Sequence, residues 1–461
     1  MEILPIRPFR DFRSARVTPP GSKSITNRAL ALAALRTGTT RLSGALFSED
    51  TRTMIECLRR LGFRVDADEA ARTVEIVGLG GEIPEARAEL FVANAGTAAR
   101  FLTAILALKR GGEYRLDGSE AMRRRPMSGL LDALARLGCA FEFGGEPGHF
   151  PFTMRTGGVS ARDVVADASA SSQILSALMQ IAPVAGTRNG AGTFDVHLKG
   201  ETVSRPFVEM TAKMIASFGG AVEGRGNTFV CGGGYGSGDF DYAIEPDATA
   251  ASYFLILPFV HRAGEVRIDG LDTDGLQGDA AFATELSTPP RDLLAAATTA
   301  DAAGTPACVV RAGTATRGFD VDFNAISDTF LTLAAVAPLL DAGTPLTIRG
   351  VAHTRRQETD RVAAMATELS KILGAENVAQ TEDSLTLTPI TRERLRARAD
   401  AAPGGRFRVA TYRDHRVAMS FGVLGTFDLR GDCSTWIEIE DPACCGKTFP
   451  DFFDVLEKIR S

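Results

Sequence analysis

Residues 22–35 read SKSITNRALALAAL, a short polar cluster followed by an apolar stretch of helical length. Ser22 is a residue type that caps helix N-termini. The apolar residues after it occupy nearly every helical face, which predicts a buried helix. Lys23 and Arg28 lie in the first turns, where a cation opposes the helix dipole and needs a compensating anion. The pattern of this stretch recurs along the chain, so the fold can be predicted from it.

The pattern occurs six times, with starts between 72 and 87 residues apart. The six predicted first helices, each opening on Ser, Asn or Asp, are Ser22–Leu35, Asn94–Leu108, Ser169–Pro183, Asp247–Val260, Ser327–Leu340 and Asp414–Leu424. A more amphipathic second helix follows in most repeats and is several times closed by a glycine. The predicted second helices are Asp50–Leu61, Met127–Leu137, Pro206–Phe218, Glu358–Leu373 and Phe449–Ile459. Alternating helices and short strands predict an α/β architecture of six units.

The fourth repeat is irregular in sequence. Its helical stretch Gly278–Leu286 is followed by Ser287, Thr288 and two prolines, which break a helix. An alanine-rich stretch then runs to Ala307. The sequence leaves open whether that stretch is an insertion or a displaced helix.

Composition excludes several classes of protein. The 461 residues are 44% hydrophobic and 23% charged, with a net charge of −6, which argues against a nucleic-acid binder held by bulk charge. The apolar stretches are too short to span a membrane. The seven cysteines include no C-x-x-C pair, so neither a disulfide framework nor a zinc site is expected. We therefore expect a cytoplasmic protein with no metal and no membrane partner.

The polar starts of the six buried helices have two interpretations. If the N-termini converge, their dipoles and free N–H groups create a site for anions. The alternative is six independent helix caps. Several of these starts carry basic residues, and a charge run is usually a solvated face, but equivalent positions in a repeat favour a shared site.

Seven motifs occur in order between residues 20 and 455: PGSKSITNRAL, NAGTAAR, MRRRP, SASSQ, ETDR with AMATEL, TYRDHRVAMS and DPACCGKTFPDFF. Together they resemble the signatures of the 5-enolpyruvylshikimate-3-phosphate synthase family. The resemblance implies the α/β, two-domain enolpyruvyl transferase fold, an inverse α/β barrel. Each domain would hold three βαβαββ units, with the active site in the interdomain cleft. Mapped here, residues 21–244 form the first domain, and residues 1–20 plus 245–461 form the second.

The resemblance also implies an activity. It is the transfer of the enolpyruvyl group of phosphoenolpyruvate to the 5-hydroxyl of shikimate 3-phosphate, with release of phosphate, in aromatic amino acid biosynthesis. This chemistry needs a base near the hydroxyl and an acid near the methylene carbon. It also needs cations for two phosphates and two carboxylates. The implied partners are the two small substrates alone, with no cofactor and no nucleic acid, and the implied form is a monomer.

By position in the motifs, the implied catalytic residues are Lys23, Asp328 as the base at the 5-hydroxyl, and Glu358 as the proton donor to the methylene. The implied shikimate 3-phosphate contacts are Lys23, Ser24, Arg28, Ser171, Ser172, Gln173, Ser204, Asp328, His353 and Gln357. The implied phosphoenolpyruvate contacts are Lys23, Asn94, Gly96, Arg125, Gln173, Arg361, Arg416 and Lys447. For Asp328 alone, the alternative is a carboxylate that satisfies a helix dipole.

Four positions depart from the family pattern. Gln357 replaces a usual lysine, and His353 replaces a common asparagine on the shikimate side. Phe207 replaces a frequent tyrosine, and Phe101 stands where proline is frequent. Gly96 is expected to leave room for the inhibitor glyphosate.

Three alternatives remain open. The first two are an enolpyruvyl transferase acting on a related acceptor and one acting on UDP-N-acetylglucosamine. The enolpyruvyl transferases that act on UDP-N-acetylglucosamine carry a reactive cysteine, and residues 117–122 of this chain contain no cysteine. The third is a catalytically silent homologue that only binds metabolites.

Overall fold

The computed structural model describes residues 2–200, 205–300 and 304–460. The second repeat shows the common pattern of strand, helix, strand, helix and two strands. Its elements are Arg87–Phe91, Gly96–Leu106, Arg110–Asp117, Ser128–Arg136, Ala140–Phe143 and Phe152–Gly157, with a short extra helix at Glu120–Arg123. The first two strands pair in parallel and the others antiparallel, which gives the spatial order first, second, fourth, third.

The third repeat has the same order. Its elements are Asp163–Ala166, Ser172–Arg188, Thr193–Leu198, Arg205–Ser217, Ala221–Arg225 and Thr228–Gly232. The first repeat consists of Lys23–Leu35, Thr37–Ser43, Glu49–Arg60, Val65–Asp68 and Thr73–Leu79. The strand missing before its first helix comes from the other end of this region, because Phe240–Ala243 pairs in parallel with Thr37–Ser43.

The fourth and fifth repeats also form four-stranded sheets of this order. The elements of the fourth are Ser14–Val17, Ala248–Leu255, Leu257–His261, Glu265–Asp269, Ala281–Ser287, Leu294–Ala300 and Pro306–Ala312. The elements of the fifth are Asp320–Asp322, Phe330–Val336, Leu346–Arg349, Arg361–Leu373, Val378–Gln380 and Ser384–Leu387. The first strand of the fourth repeat is therefore supplied by the N-terminal segment, which pairs with Glu265–Asp269.

The sixth repeat differs from the other five. Its elements are Phe407–Val409, His415–Gly425, Ile437–Glu440 and Phe452–Lys458, and a further helix, Arg392–Ala401, precedes it. In place of a closing hairpin, the N-terminal strand Ile3–Pro5 pairs antiparallel with Ile437–Glu440 and gives a three-stranded sheet.

The alanine-rich stretch of the fourth repeat supplies the closing strands of its four-stranded sheet, so the insertion and the displaced-helix interpretations are both wrong. Leu294–Ala300 pairs antiparallel with Pro306–Ala312, residue for residue. Alanine has a high helix propensity, but such propensities are small and pairing with a neighbouring strand can override them. Here the partner strand contributes buried Cys308 and Val310 to the core of the sheet. The connecting residues 301–303 lie outside the described part of the chain.

The chain divides into two compact units, 21–245 and 1–20 with 246–461. We call them the 21–245 unit and the 246–461 unit. In the first, the helices Lys23–Leu35, Gly96–Leu106 and Ser172–Arg188 pack against one another. Every residue of Gly96–Leu106 is buried, as the apolar pattern predicts. Among the described residues, every helix is too short or too polar to cross a bilayer.

Most first helices begin within two or three residues of the predicted start. Asp247, Ser171 and Asp414 are true caps, and each side chain accepts a hydrogen bond from a backbone N–H of its own first turn. Ser22 is an N-cap by position, but its side chain accepts no capping bond. The fifth first helix departs from the prediction, because Ser327 lies in a 3₁₀ segment before the α-helix begins at Phe330.

Candidate active site

In the 21–245 unit, Lys23 is the first residue of a buried helix and forms an ion pair. Its Nζ lies 3.6 Å from Oδ2 of Asp50, and the two side chains are 15% and 5% exposed. The other oxygen of Asp50, Oδ1, is buried and has no hydrogen-bond partner among the residues that the structure describes. Asp50 stands in the first turn of the next helix, where a carboxylate is favoured by the dipole. It therefore lowers the cost of placing Lys23 at a helix N-terminus.

Arg28 is fully engaged by neutral partners inside the same unit. Its Nε donates to Oγ1 of Thr211 at 2.8 Å, and its Nη1 donates to the Ser24 carbonyl at 3.0 Å. The rings of Phe101 and Phe207 lie 5.3 and 5.8 Å from its Cζ atom. Burial lowers the pKa of Arg28 to about 9, and among the described residues its guanidinium is held by dipoles and aromatic rings. The two phenylalanines that depart from the family pattern thus both flank this guanidinium.

In the second repeat, the guanidinium of Arg125 lies against the start of the first helix, Gly96–Leu106. A Cβ added at Gly96 would lie 2.7 Å from Nη1 of Arg125, so only glycine lets that side chain lie against the helix start. Arg100, one turn further, donates to the carbonyl of Gly96 at 3.1 Å and to Oε1 of Gln173 at 3.0 Å. Burial, and to a smaller extent the nearby Arg125, lowers the pKa of Arg100 to about 9.

Gln173 joins two helix starts. Besides accepting from Arg100, its Nε2 donates to Oγ1 of Thr97 at 3.2 Å. Ser171 caps the helix that carries Gln173, with a bond of 3.2 Å to the Gln173 N–H, and Ser172 is 5% exposed. Oδ1 of Asn94 is buried and has no hydrogen-bond partner within the described part of the chain. The predicted contact Ser204 lies outside the described residues.

In the 246–461 unit, two carboxylates and three cations alternate in one chain of ion pairs. Asp328 accepts from Nη2 of Arg416 at 2.7 Å and from Nη1 of Arg361 at 3.0 Å. Glu358 accepts from Nη2 of Arg361 at 2.8 Å, and its Oε1 lies 2.9 Å from Nζ of Lys447. The side chains are between 2% and 15% exposed. Four residues from three of the motifs are therefore joined by ion pairs to Asp328, which lies outside the seven motifs.

Asp414 binds Arg361, the central cation of this chain of ion pairs. It is fully buried, caps its helix by accepting from the N–H of Arg416 at 2.9 Å, and accepts from Nε of Arg361 at 2.8 Å. Burial lowers the pKa of Arg361, but the charges of Asp414, then Glu358, then Asp328 outweigh it and hold that pKa above its usual range. The same guanidinium donates to the side-chain oxygen of Gln357.

Two further groups lie beside the alternating chain. His353 contacts Oγ of Ser327 through Nε2 at 2.7 Å, and its burial lowers its pKa. Asp279 is 8% exposed and accepts from the hydroxyl of Thr249. Burial, with the nearby charge of Asp328 second, raises the pKa of Asp279 to about 7.

Sequence reasoning missed four of these groups as site residues: Asp50, Arg100, Asp279 and Asp414. Asp414 had a signal, since an aspartate directly before an apolar helix is a typical N-cap. Asp50 also had one, because it follows Ser48 at a helix start. Arg100 stands inside a predicted buried helix, which is a signal for an inward-pointing guanidinium, whereas nothing in the sequence shows that Asp279 points inward. Among the described residues, no group of three or more His, Cys, Asp or Glu side chains is arranged to hold a metal ion.

The repeated sheets and buried first helices define an enolpyruvyl transferase fold. The chain superimposes on the EPSP synthase from Acinetobacter baumannii with a TM-score of 0.76, at 22% identity over 100% of this chain and 98% of that one. It also superimposes on the enolpyruvyl transferase NikO from Streptomyces tendae with a TM-score of 0.65, at 16% identity over 99% and 97% of the two chains.

The chain belongs to the EPSP synthase (3-phosphoshikimate 1-carboxyvinyltransferase) family, whose model matches residues 12–456. It is 46% identical to the 3-phosphoshikimate 1-carboxyvinyltransferase of Opitutus terrae over 100% of this chain and 98% of the relative. It is 38% identical to the protein of the same name from Nostoc punctiforme over 95% of each chain. The family expected from the seven motifs is thereby confirmed.

Proposed function

We propose that this chain transfers the enolpyruvyl group of phosphoenolpyruvate to the 5-hydroxyl of shikimate 3-phosphate in aromatic amino acid biosynthesis. The hydroxyl oxygen bonds to C2 of phosphoenolpyruvate while C3 takes a proton and the hydroxyl loses one. The tetrahedral product then breaks its C2–O bond to phosphate and loses a proton from C3. The products are an enol ether and inorganic phosphate, with no net oxidation. Membership of the family supports this proposal.

The observation that carries it is the alternation of Arg416, Asp328, Arg361, Glu358 and Lys447 within hydrogen-bond distance. Phosphoenolpyruvate brings a carboxylate and a phosphate of about −1.5 to −2 charge. Guanidinium groups bind both anions in bidentate fashion. The three cations therefore have the chemistry to hold the substrate, with the two carboxylates interleaved among them.

The interleaving gives Asp328 and Glu358 different tasks. Asp328 has two guanidinium neighbours, which favour its ionised form, as a base at the 5-hydroxyl requires. Glu358 shares one guanidinium and Lys447. When the anions of phosphoenolpyruvate engage those cations, less positive charge opposes protonation of Glu358, which then serves as the proton donor to C3. Lys23 adds a cation at a helix start on the 21–245 unit.

We assign the remaining substrate contacts as follows. Shikimate 3-phosphate is bound by Ser24, Arg28, Ser171, Ser172, Gln173, Ser204, His353 and Gln357, with Lys23 shared. Phosphoenolpyruvate is bound in addition by Asn94, Gly96, Arg125 and Gln173. Helix N-termini supply N–H groups to phosphates, and serine hydroxyls add donors. Arg28 acts through its charge, because its Nε, Nη1 and Nη2 already donate to protein acceptors.

Gln357 bears on the identity of the acceptor. Its side-chain oxygen accepts from Arg361, so it supports the alternating chain of ion pairs instead of adding a charge. A lysine there would place a second cation against that guanidinium. We therefore expect shikimate 3-phosphate to be accepted with reduced affinity rather than replaced by another acceptor.

We also infer that the reaction occurs in the cytoplasm and that the protein acts as a monomer. All seven cysteines are free thiols, as a reducing compartment requires. Light scattering on the purified protein at micromolar concentration tests the monomer. A dimer mass at that concentration would contradict it.

Phosphate release tests the proposed function. The protein is incubated with phosphoenolpyruvate and, in parallel, with shikimate 3-phosphate, shikimate, UDP-N-acetylglucosamine or no acceptor. Release that depends on shikimate 3-phosphate supports the proposal. Release with another acceptor alone would assign a different enolpyruvyl transfer, and no release with any acceptor would indicate a metabolite-binding homologue.

A further inference from the structure

The buried carboxylate of Glu368, on the helix Arg361–Leu373, accepts hydrogen bonds from the chain segment that precedes the first helix of the sixth repeat. Glu368 is 1% exposed. Its Oε1 accepts from the hydroxyl of Tyr412 at 2.7 Å, and its Oε2 accepts from the N–H of Ala410 at 3.2 Å. Lys371 donates to the same Oε2 at 2.5 Å. One side chain therefore receives three donors, two of them from the incoming segment.

That segment ends in a left-handed turn. Tyr412 and Arg413 have φ angles of 55° and 58°, a conformation that residues with a Cβ adopt at a cost. The N–H of Asp414 closes the turn by donating to the carbonyl of Thr411 at 2.8 Å. A strained turn persists only where surrounding contacts fix it. The bond between Tyr412 and Glu368 is a contact of that kind.

The turn delivers Asp414 to the alternating chain of ion pairs. Asp414 accepts from Nε of Arg361 and from the backbone N–H of Arg416. Arg361 is itself the first residue of the helix that carries Glu368. The contacts form a closed loop. Two helix turns lead from Arg361 to Glu368, which bonds to Tyr412. A short turn leads from Tyr412 to Asp414, which bonds back to Arg361.

We propose that Glu368 and Tyr412 are a positioning pair, which sets Arg361 and Arg416 in register for phosphoenolpyruvate by fixing the turn before Asp414. The proposal rests on the proposed function for the identity of the bound anion. Burial, followed by the bond to Glu368, raises the pKa of Tyr412 to about 12, so its hydroxyl remains a donor throughout the neutral range.

The exposure of Tyr412 makes it the better site for a test. Its side chain is 40% exposed, so Tyr412→Phe removes one hydroxyl without opening a cavity. Losing one hydrogen bond that acts through position should raise the KM for phosphoenolpyruvate about threefold to tenfold. The KM for shikimate 3-phosphate should stay within about twofold, and the unfolding midpoint should fall by no more than about 3 °C. A purely structural role would lower the midpoint and leave both KM values alone.

Tyr114→Phe is the control for the loss of a tyrosine hydroxyl elsewhere, at a buried residue. The Tyr114 hydroxyl also donates a 2.8 Å bond, to the carbonyl of Glu85, on a strand of the 21–245 unit. Its removal should leave the KM for phosphoenolpyruvate unchanged. A rescue variant adds Arg413→Asn to Tyr412→Phe, because asparagine tolerates the left-handed region better than arginine. The added change should lower the raised KM at least about twofold.

The outcomes separate the two proposals. An unchanged KM for phosphoenolpyruvate in Tyr412→Phe overturns the positioning pair, as does an equal rise for both substrates. Absence of turnover in the unmodified chain counts against the proposed function instead. In that case the dissociation constant of phosphoenolpyruvate, measured by calorimetry on the unmodified chain and on Tyr412→Phe, decides the positioning pair. Equal constants overturn it.

Discussion

Nη1 of Arg361 lies 3.0 Å from Oδ1 of Asp328, and Nη2 of the same guanidinium lies 2.8 Å from Oε2 of Glu358. One arginine therefore joins the proposed base to the proposed acid. The side chain of Arg361 is 2% exposed, which leaves little water to screen either contact. Any anion that engages this guanidinium acts on both carboxylates at once.

Asp328→Asn should reduce kcat by about a hundredfold to ten-thousandfold, because the amide cannot accept the hydroxyl proton. The KM for phosphoenolpyruvate should change far less, since the amide oxygen still accepts from a guanidinium. Steady-state kinetics of phosphate release measures both. Asp320→Asn is the control, because Asp320 pairs with Arg349 on the surface and should tolerate the change. Turnover near the unmodified level in Asp328→Asn would remove Asp328 from the mechanism.

Arg361→Met should destabilise the fold by about 3–5 kcal/mol, because it leaves three carboxylates without their shared partner. Those carboxylates are Asp328, Glu358 and Asp414. Denaturant unfolding followed by circular dichroism gives the free energy. Arg349→Met breaks an exposed pair and should cost no more than about 1 kcal/mol. Equal losses of unfolding free energy in the two variants would show that the buried ion pairs stabilise the fold no more than the exposed pair does.

Gly96→Ala should raise the KM for phosphoenolpyruvate, because the new Cβ would lie 2.7 Å from Nη1 of Arg125 and push that side chain away. The guanidinium is the flexible end of a long side chain, so folding should survive. Gly224→Ala is the matched control in the same unit, since nothing lies within 4 Å of a Cβ there. Identical KM values for the unmodified chain and Gly96→Ala would show that Arg125 does not bind this substrate.

Stability should fall as the pH drops from about 6.5 to about 4, in part through His261. Burial lowers the pKa of His261 to about 4, and the ring stacks on Phe9 at 5.1 Å between centroids. Across that window the unfolded chain binds a proton that the folded chain does not, so His261 contributes full stability above pH 6.5 and loses it below. The loss by pH 4 is about 3 kcal/mol.

The variant His261→Gln isolates this effect. Glutamine does not titrate and can still bond to Oγ1 of Thr426, the present partner of the ring at 3.0 Å. Its urea midpoint should therefore fall less steeply between pH 6.5 and pH 4 than that of the unmodified chain. Parallel pH profiles for the two proteins would contradict the assignment to His261.

The repeat and the buried first helices could be predicted from sequence because they rest on local patterns. Polar caps and continuous apolar faces recur at a nearly constant spacing, and Gly62 and Gly138 do adopt positive φ after their helices. Strand supply from distant segments could not be predicted this way. The residues in and around Ile3–Pro5 and Phe240–Ala243 do not indicate which sheet each of these strands joins.

Helix ends were harder to predict where proline is involved. The third first helix continues through Pro183 to Arg188, five residues beyond its predicted end. The fourth breaks at Ile256, one residue before a short helix that has Pro258 near its start. Proline fits the first turn of a helix and disturbs its interior. The surrounding packing decides between these outcomes, and the sequence alone does not describe that packing.

The candidate site shows the same division. The motifs predict which residues carry charge at the helix starts, but not which of those charges meet. Asp328 and Arg416 are 88 positions apart, yet they form a 2.7 Å pair. The motifs also do not show the protein contacts of Arg28, whose guanidinium lies among Thr211, Phe101 and Phe207.

In the proposed reaction, enolpyruvyl transfer proceeds by addition to C2 with protonation of C3. Proton NMR of the product formed in deuterium oxide from phosphoenolpyruvate and shikimate 3-phosphate tests it most directly. We predict an enol ether whose vinyl methylene carries deuterium, with one phosphate released per ether, because C3 passes through a methyl group. Phosphate release without an enol ether, or an enol ether whose methylene carries no deuterium, would contradict the account.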